Sequence, residues 1–285
     1  MIVAPIIHTR TFSCDFNSEF LVRPDSFLDS DIKWARKNVL GATKSIDGLV
    51  GVRWLIADNE KYRMAGVVGF LKDICLKCQL SDENKRKSEE LFCDDKGRMV
   101  YAFIGIVIDK RKSVDYGMVS YEYLWNLYFE KIYDIWNRTY QEIVLEKFVD
   151  IKFDTISTEM EMSPTIIGLK ELFEVNPVTD YNLFSSLLCN KNKDNFSFCS
   201  NIQDFNLIKQ SNFSIMTTSR NIIKRLEREN PTTVRLVENE KLSKIENVID
   251  RNEQSNMLEN KKKSFLIFGS VLIILLMIIL ILVLI

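Results

Sequence analysis

The last 21 residues, Phe265–Ile285, read FLIFGSVLIILLMIILILVLI and carry no charged side chain. No other feature constrains the chain as tightly. As a helix the run would span about 31 Å at about 1.5 Å per residue, which matches the roughly 30 Å hydrocarbon core of a bilayer. A helix satisfies its own backbone hydrogen bonds, so lipid accepts it. Phe265, Leu266, Ile267, Phe268, Leu272, Ile273 and Ile285 are therefore expected to lie in lipid, within a transmembrane segment of residues 264–285.

Lys261, Lys262 and Lys263 stand directly before the span. Lysines beside a span favour the cytoplasmic side, and they attract anionic head groups at about 1 kcal/mol per charge. With Ile285 as the final residue, the run is expected to act as a single-pass tail anchor with the N-terminal body in the cytosol. The opening MIVAPIIHTRTF, broken by Pro5, lacks the charged and apolar regions of a signal peptide.

The remaining 260 or so residues suffice for one large domain or two small ones. Lys and Arg number 38 against 39 Asp and Glu, so the net charge of −1 gives no basic excess of the kind nucleic-acid binders carry, and no nucleic-acid partner is expected. A cytosolic body keeps Cys14, Cys75, Cys78, Cys93, Cys189 and Cys199 reduced.

Periodicity suggests an α+β body: a mixed β-sheet with packed helices, followed by a polar stalk and one C-terminal transmembrane helix. Residues 1–155 form the α+β cytosolic domain and 156–231 a smaller continuation or second subdomain. Ser30 or Asp31 can cap a helix that ends near Gly41. Apolar runs on either side of Asp58-Asn59-Glu60 predict a β-hairpin. The polar stretch from Ser81 predicts an exposed helix and then a turn at Asp95-Lys96-Gly97.

The continuous apolar run Tyr101–Ile108 predicts a central strand buried on both faces. Tyr121, Leu124, Trp125, Tyr128, Phe129, Ile132, Ile135 and Trp136 recur at helical spacing behind a Ser120 cap, giving a core-facing helix. The segment from Glu146 to Ile156 alternates as a strand. SPTIIGLKELFEV suggests a helix capped by Ser163 with Pro164 in its first turn. YNLFSSLLC, FSFCSNI and FSIMTT are short apolar segments between polar turns, and NIIKRLEREN is a short helix stopped by Pro231.

Residues 232–263 form the stalk. A flexible coil of this length would let the body range roughly 30 Å from the bilayer. A vesicle-fusion SNARE helix needs about eight layers of heptad contacts, and only one or two can be drawn here.

Catalytic motifs are sparse. GATKS at Gly41–Ser45 has Thr43 where a phosphate loop needs glycine. Cys75 and Cys78 have metal-ligand or redox spacing, with Cys93 as a possible third ligand and Cys14 or His8 as a fourth. No second such pair exists, so neither a metal nor another cofactor is expected. His8 is the single histidine, which leaves little room for triad catalysis. Acidic residues such as Asp94, Asp95, Glu159 and Glu161 read as solvated surface groups.

The leading expectation is a membrane protein whose cytosolic body binds and recruits a partner protein, with the lipid bilayer as its other partner. The alternatives are a membrane-perturbing effector of toxin or antiviral-defence type that self-associates through the body, and a tethered enzyme whose site has no motif.

Overall fold

The computed structural model describes residues 1–16, 19–44, 51–154 and 164–230. In chain order, β1 (Ile2–Thr9) and β2 (Val22–Pro24) precede α1 (Asp29–Thr43). β3 (Arg53–Asp58), β4 (Tyr62–Phe70), α2 (Leu71–Cys75), α3 (Asp82–Glu89), β5 (Tyr101–Asp109) and α4 (Tyr121–Ile132) follow. After β6 (Val144–Glu146) and β7 (Val149–Asp150) come the hairpin of β8 (Thr165–Ile167) and β9 (Lys170–Glu174), then α5 (Pro177–Cys189). β10 (Ser197–Cys199), α6 (Phe205–Gln210), β11 (Ile215–Thr218) and α7 (Arg220–Glu229) complete the described chain. Residues Met1–Glu229 form one compact unit. Among the described residues no helix is long and apolar enough to cross a membrane. The span, Lys261–Lys263 and the stalk lie outside the described residues.

The strands join one mixed sheet in the order β6-β2-β1-β5-β4-β3-β10-β11-β9-β8, with β7 added beside β1. From β1 to β10 along this order the neighbours are antiparallel. β10, β11 and β9 then run parallel to one another. Through β10, residues 164–229 extend the same sheet as the N-terminal strands.

Side chains alternate strictly between two cores, as the pleat requires. Trp54, Ile56, Ala65, Val67, Ile104 and Ile106 enter one core, beneath α2, α4 and α5. Leu55, Ala57, Met64, Val68, Phe103 and Val107 enter the other, beneath α1, α6 and α7. Helices therefore cover both faces, and β5, between β1 and β4, is central as its unbroken apolar run predicts. Gly66 and Gly105 sit opposite each other in the β4–β5 ladder. A Cβ on Gly66 would lie 2.2 Å from the Ile104 carbonyl oxygen, so the close approach of the backbones requires glycine there.

Pro5 lies inside β1, whose β5 side is fully paired. On its other side β1 meets β7 at Val3 and β2 at Ile7, so Pro5, which has no N–H, falls in the gap between them.

Several local expectations need correction. SPTIIGLKELFEV forms the β8–β9 hairpin, not a helix. Gly168 adopts φ +62 at its turn, and β9 gains a ladder with β11 that overrides helical spacing. Ser163 lies outside the described residues. YNLFSSLLC belongs to the 13-residue α5, started by Asn176, whose side chain accepts from the Val178 N–H, and by Pro177 in the first turn. Asp31 is not the cap of α1. It sits at the third helical position, and its carboxylate accepts from the Leu28 N–H. The alternating segment after Glu146 is a strand only at Val149–Asp150. Ser120 does cap α4, accepting from the Tyr123 N–H at 3.1 Å, and the helix tightens to a 3-10 turn over Tyr133–Ile135.

Three buried or half-buried cations close the ends of three helices, where carbonyls lack helical partners. Arg53 donates to the carbonyls of Ala42 (2.7 Å) and Lys44 (2.6 Å) at the end of α1. Arg63 donates to Leu187, Leu188 and Asn190 at the end of α5. Lys170 donates to Ile208, Lys209 and Ser211 at the end of α6. These contacts also match the negative end of each helix dipole with positive charge.

Candidate functional site

A cleft of about 560 Å³ opens where β9 and β10 end. Val175 and Pro177 follow β9, Asn201 follows β10, and Trp54 comes from β3. Asp73, Leu76 and Lys77 of the α2 region and Tyr121 of α4 complete the wall. Crevices at the carboxyl ends of parallel strands are where open sheets place ligands.

Asp180 is its chemical centre. The residue lies in the first turn of α5 and is only 6% exposed. Its carboxylate accepts from the Asn176 N–H at 3.5 Å and from the Thr217 hydroxyl. Thr217 Oγ1 in turn accepts the Asn201 N–H at 2.7 Å, and Gln203 Nε2 donates to Asn201 Oδ1 at 2.8 Å. Asn201 holds φ +53, a left-handed conformation that asparagine tolerates. A relay of hydrogen bonds thus runs from the loop after β10, through β11, to α5.

Burial pushes the Asp180 carboxyl up to about 6, against the opposing pull of Thr217 and Asn176. Burial also raises the Tyr121 phenol, with the Asp180 charge adding to the effect, so Tyr121 keeps its proton. Trp54 packs between Tyr121 and Phe184, each 4.3 Å from its ring centroid, and forms a rigid floor. Asp73 and Lys77 form no ion pair among the described residues.

The high carboxyl value has a consequence for stability. Folded Asp180 holds a proton that the unfolded chain, near 3.9, releases earlier. Its contribution is full below about pH 3.9 and is lost as pH rises through about 6. Asp180→Asn does not titrate. Relative to the parent it is expected to gain about 1–1.5 kcal/mol between about pH 5 and pH 8, measured by urea unfolding. A constant difference across that range would contradict the assignment.

The candidates suggested by sequence fall elsewhere. Cys75 and Cys78 are buried in the core under α2. Burial pushes the Cys78 thiol up to about 12, and its Sγ donates to the Ile74 carbonyl. Cys93 is exposed and bridges to Met99 across a turn. Among the described residues no group of three or more His, Cys, Asp or Glu side chains is placed to hold a metal. His8 is buried in β1 against Phe16 and Phe20, and burial with the Arg36 charge lowers it to about 4.

Gly41–Thr43 belong to α1, and Ser45 lies outside the described residues. Asp94 is buried. Burial alone would raise its carboxyl, but the backbone and guanidinium of Arg98, the Lys96 N–H and Arg10 hold it below the ordinary range. It serves the turn before β5 by accepting from the Lys96 and Arg98 N–H groups. Glu159 and Glu161 lie outside the described residues, as do Phe265, Leu266, Ile267, Phe268, Leu272, Ile273 and Ile285.

Sequence reasoning missed Asp180, Thr217 and Asn201. The one local signal was Asn176-Pro177, a helix start, and it says nothing of a cleft. No family model matches the chain, and neither a curated protein nor a solved structure matches it.

Proposed function

We propose that this chain is a membrane-anchored recruitment protein. Residues 265–285 hold it in the bilayer, Lys261–Lys263 keep the body on the cytosolic side, and the cleft around Asp180 receives a segment of a partner protein. The observation that carries the binding role is the cleft's make-up. Leu76, Val175 and Pro177 supply apolar wall, while Asp180, Tyr121 and Asn201 supply polar groups that fix orientation. Binding sites commonly combine mostly apolar lining with a few placed polar groups.

The anchor is tested by deleting residues 264–285. Burying about 21 apolar residues in lipid is effectively irreversible, so the truncated chain is expected in the soluble fraction. Retention in the pellet after an alkaline wash would reveal a second integral site. The cleft is tested in the anchored chain with Leu76→Arg, since Leu76 is 72% exposed and its replacement spares the core. Loss of the co-isolated partner with unchanged anchoring and melting temperature supports the reading. Unchanged co-isolation moves the partner site elsewhere.

A second reading, a membrane-tethered enzyme, is favoured by one observation. A carboxyl that titrates near 6 inside a cleft suits general acid–base work at neutral pH. Asp180→Asn would then abolish turnover without lowering the melting temperature of the body.

A further inference from the structure

We propose that the face of the body formed by α1, α6 and α7 docks on the anionic head groups of the cytosolic leaflet. The inference rests on the membrane-anchored reading and adds a second, peripheral contact to it.

The charge is arranged in stripes. On α7, Arg220, Lys224 and Arg228 recur every four residues, and all are exposed. On α1, Lys33, Arg36 and Lys37 recur at i, i+3 and i+4, and all are exposed. Such spacing puts each trio on one side of its helix. None of the six forms an ion pair among the described residues. The opposite sides of these helices, through Ile32, Ala35 and Val39 of α1 and Ile223 and Leu226 of α7, enter the same core. Both stripes therefore point away from the sheet on the same face.

Between α1 and α6 lies a hollow of about 300 Å³ whose wall includes Lys37, Lys44, Gln210, Ser211 and Asn212. Two cations beside hydroxyl and amide groups suit the phosphate of a lipid head group. The other face has no such stripe. There α2, α3 and α4 carry Lys72, Lys85, Arg86, Lys87 and Lys131 against Asp73, Asp82, Glu83, Glu89, Glu122 and Glu130, a nearly balanced set.

Three arguments select lipid as the occupant. Basic residues near an anionic leaflet are attracted within a Debye length of its surface. Only 35 residues separate Glu229 from the first residue of the span, which as a coil reach about 30–35 Å, so the surface is within range. Docking by this face also leaves the α2, α4 and α5 side, which carries Tyr121 and Asp180, turned towards the cytosol. A chain whose net charge is −1 gives no general attraction for nucleic acid, so the local stripes matter more than the total.

The test uses the full chain in vesicles of phosphatidylcholine alone or with added phosphatidylserine. Energy transfer from tryptophan, including half-exposed Trp34 on α1, to a dansyl head-group lipid reports docking. Flotation after an alkaline wash reports the anchor separately, so failure of the anchor and failure of docking are distinguishable. Transfer is expected to rise with phosphatidylserine and to fall about fivefold between about 0.15 M and 1 M salt as screening shortens.

The variant Lys33→Glu, Lys37→Glu, Lys224→Glu, Arg228→Glu should give the phosphatidylcholine level with normal flotation. Replacing Lys261–Lys263 by alanine should leave the phosphatidylserine-dependent rise in place. Transfer independent of phosphatidylserine, or unchanged in the four-site variant, overturns the proposal. So does a four-site variant that loses affinity for duplex DNA while its lipid signal is untouched.

Discussion

Arg63→Ala is expected to lower the melting temperature of the body by about 10 °C, because it takes from the buried Asp58 carboxylate its more deeply buried cation, leaving Lys110 at 3.0 Å, and at once leaves the end of α5 without its donor. The Arg63 side chain is 1% exposed and that of Asp58 is fully buried, and Arg63 Nε donates to Asp58 Oδ1 at 3.0 Å. Breaking a buried pair by removing one member typically costs about 3–5 kcal/mol. Each kcal/mol shifts the midpoint by about 2–4 °C in a domain of this size.

Arg63 also donates through Nη1 and Nη2 to Leu187, Leu188, Asn190 and Lys193, and it packs against the rings of Tyr116 and Phe196. This gives a sharper check. In Arg63→Met with Asp58→Asn both charges of the buried pair are gone and Lys110 keeps Asp194, but the α5 carbonyls remain unpaired. The double variant should therefore stay well below the parent in a thermal melt followed by near-ultraviolet dichroism. Full recovery would mean that the ion pair alone mattered and the helix closure did not.

Trp125→Ala is expected to cost about 3–5 kcal/mol, the usual range for emptying a large aromatic site. Trp125 is 1% exposed, stacks on Tyr128 at 5.7 Å, and joins the core that contains Ile104 and Ile106 of β5. Trp34→Ala, on the half-exposed side of α1, serves as the control and should cost far less. Urea unfolding of both variants separates the cases. A Trp125→Ala protein as stable as the parent would place this stripe outside the core, against its burial.

The aromatic stripe on α4 shows why some of the fold was legible. Leu124, Trp125, Tyr128, Ile132 and Trp136 are buried, as their spacing requires, since only one side of a helix can face a sheet. Phe129 and Tyr121 are half-buried at the edges of that side, where spacing alone does not separate core from rim. The β3–β4 hairpin and central β5 were equally legible, because apolar runs and turn residues are local signals. The segment Pro164–Glu174 was not. Its apolar spacing fits a helix as well as a hairpin, and the choice fell to the ladder with β11, whose strand lies about 45 residues further on.

The candidate site was almost wholly hidden. Asp180, Asn201 and Thr217 are common residue types without a motif, and each comes from a different element. Their meeting depends on the order β3-β10-β11-β9, which no local pattern encodes.

By itself the sequence determined what depends on neighbours along the chain. It supplied an uncharged run long enough to span a bilayer, the basic trio before it, the helix cap at Ser120, and the unbroken apolar run that buries both faces of β5. Only the tertiary structure decided what depends on distant partners. It turned Arg53, Arg63 and Lys170 into helix closures, set Gly66 against Gly105, and buried Asp180 deeply enough to hold a proton near pH 6. The physical reason is one of range. Propensity and periodicity act over a few residues, whereas desolvation and the pairing of buried polar groups are set by whatever the folded chain brings alongside.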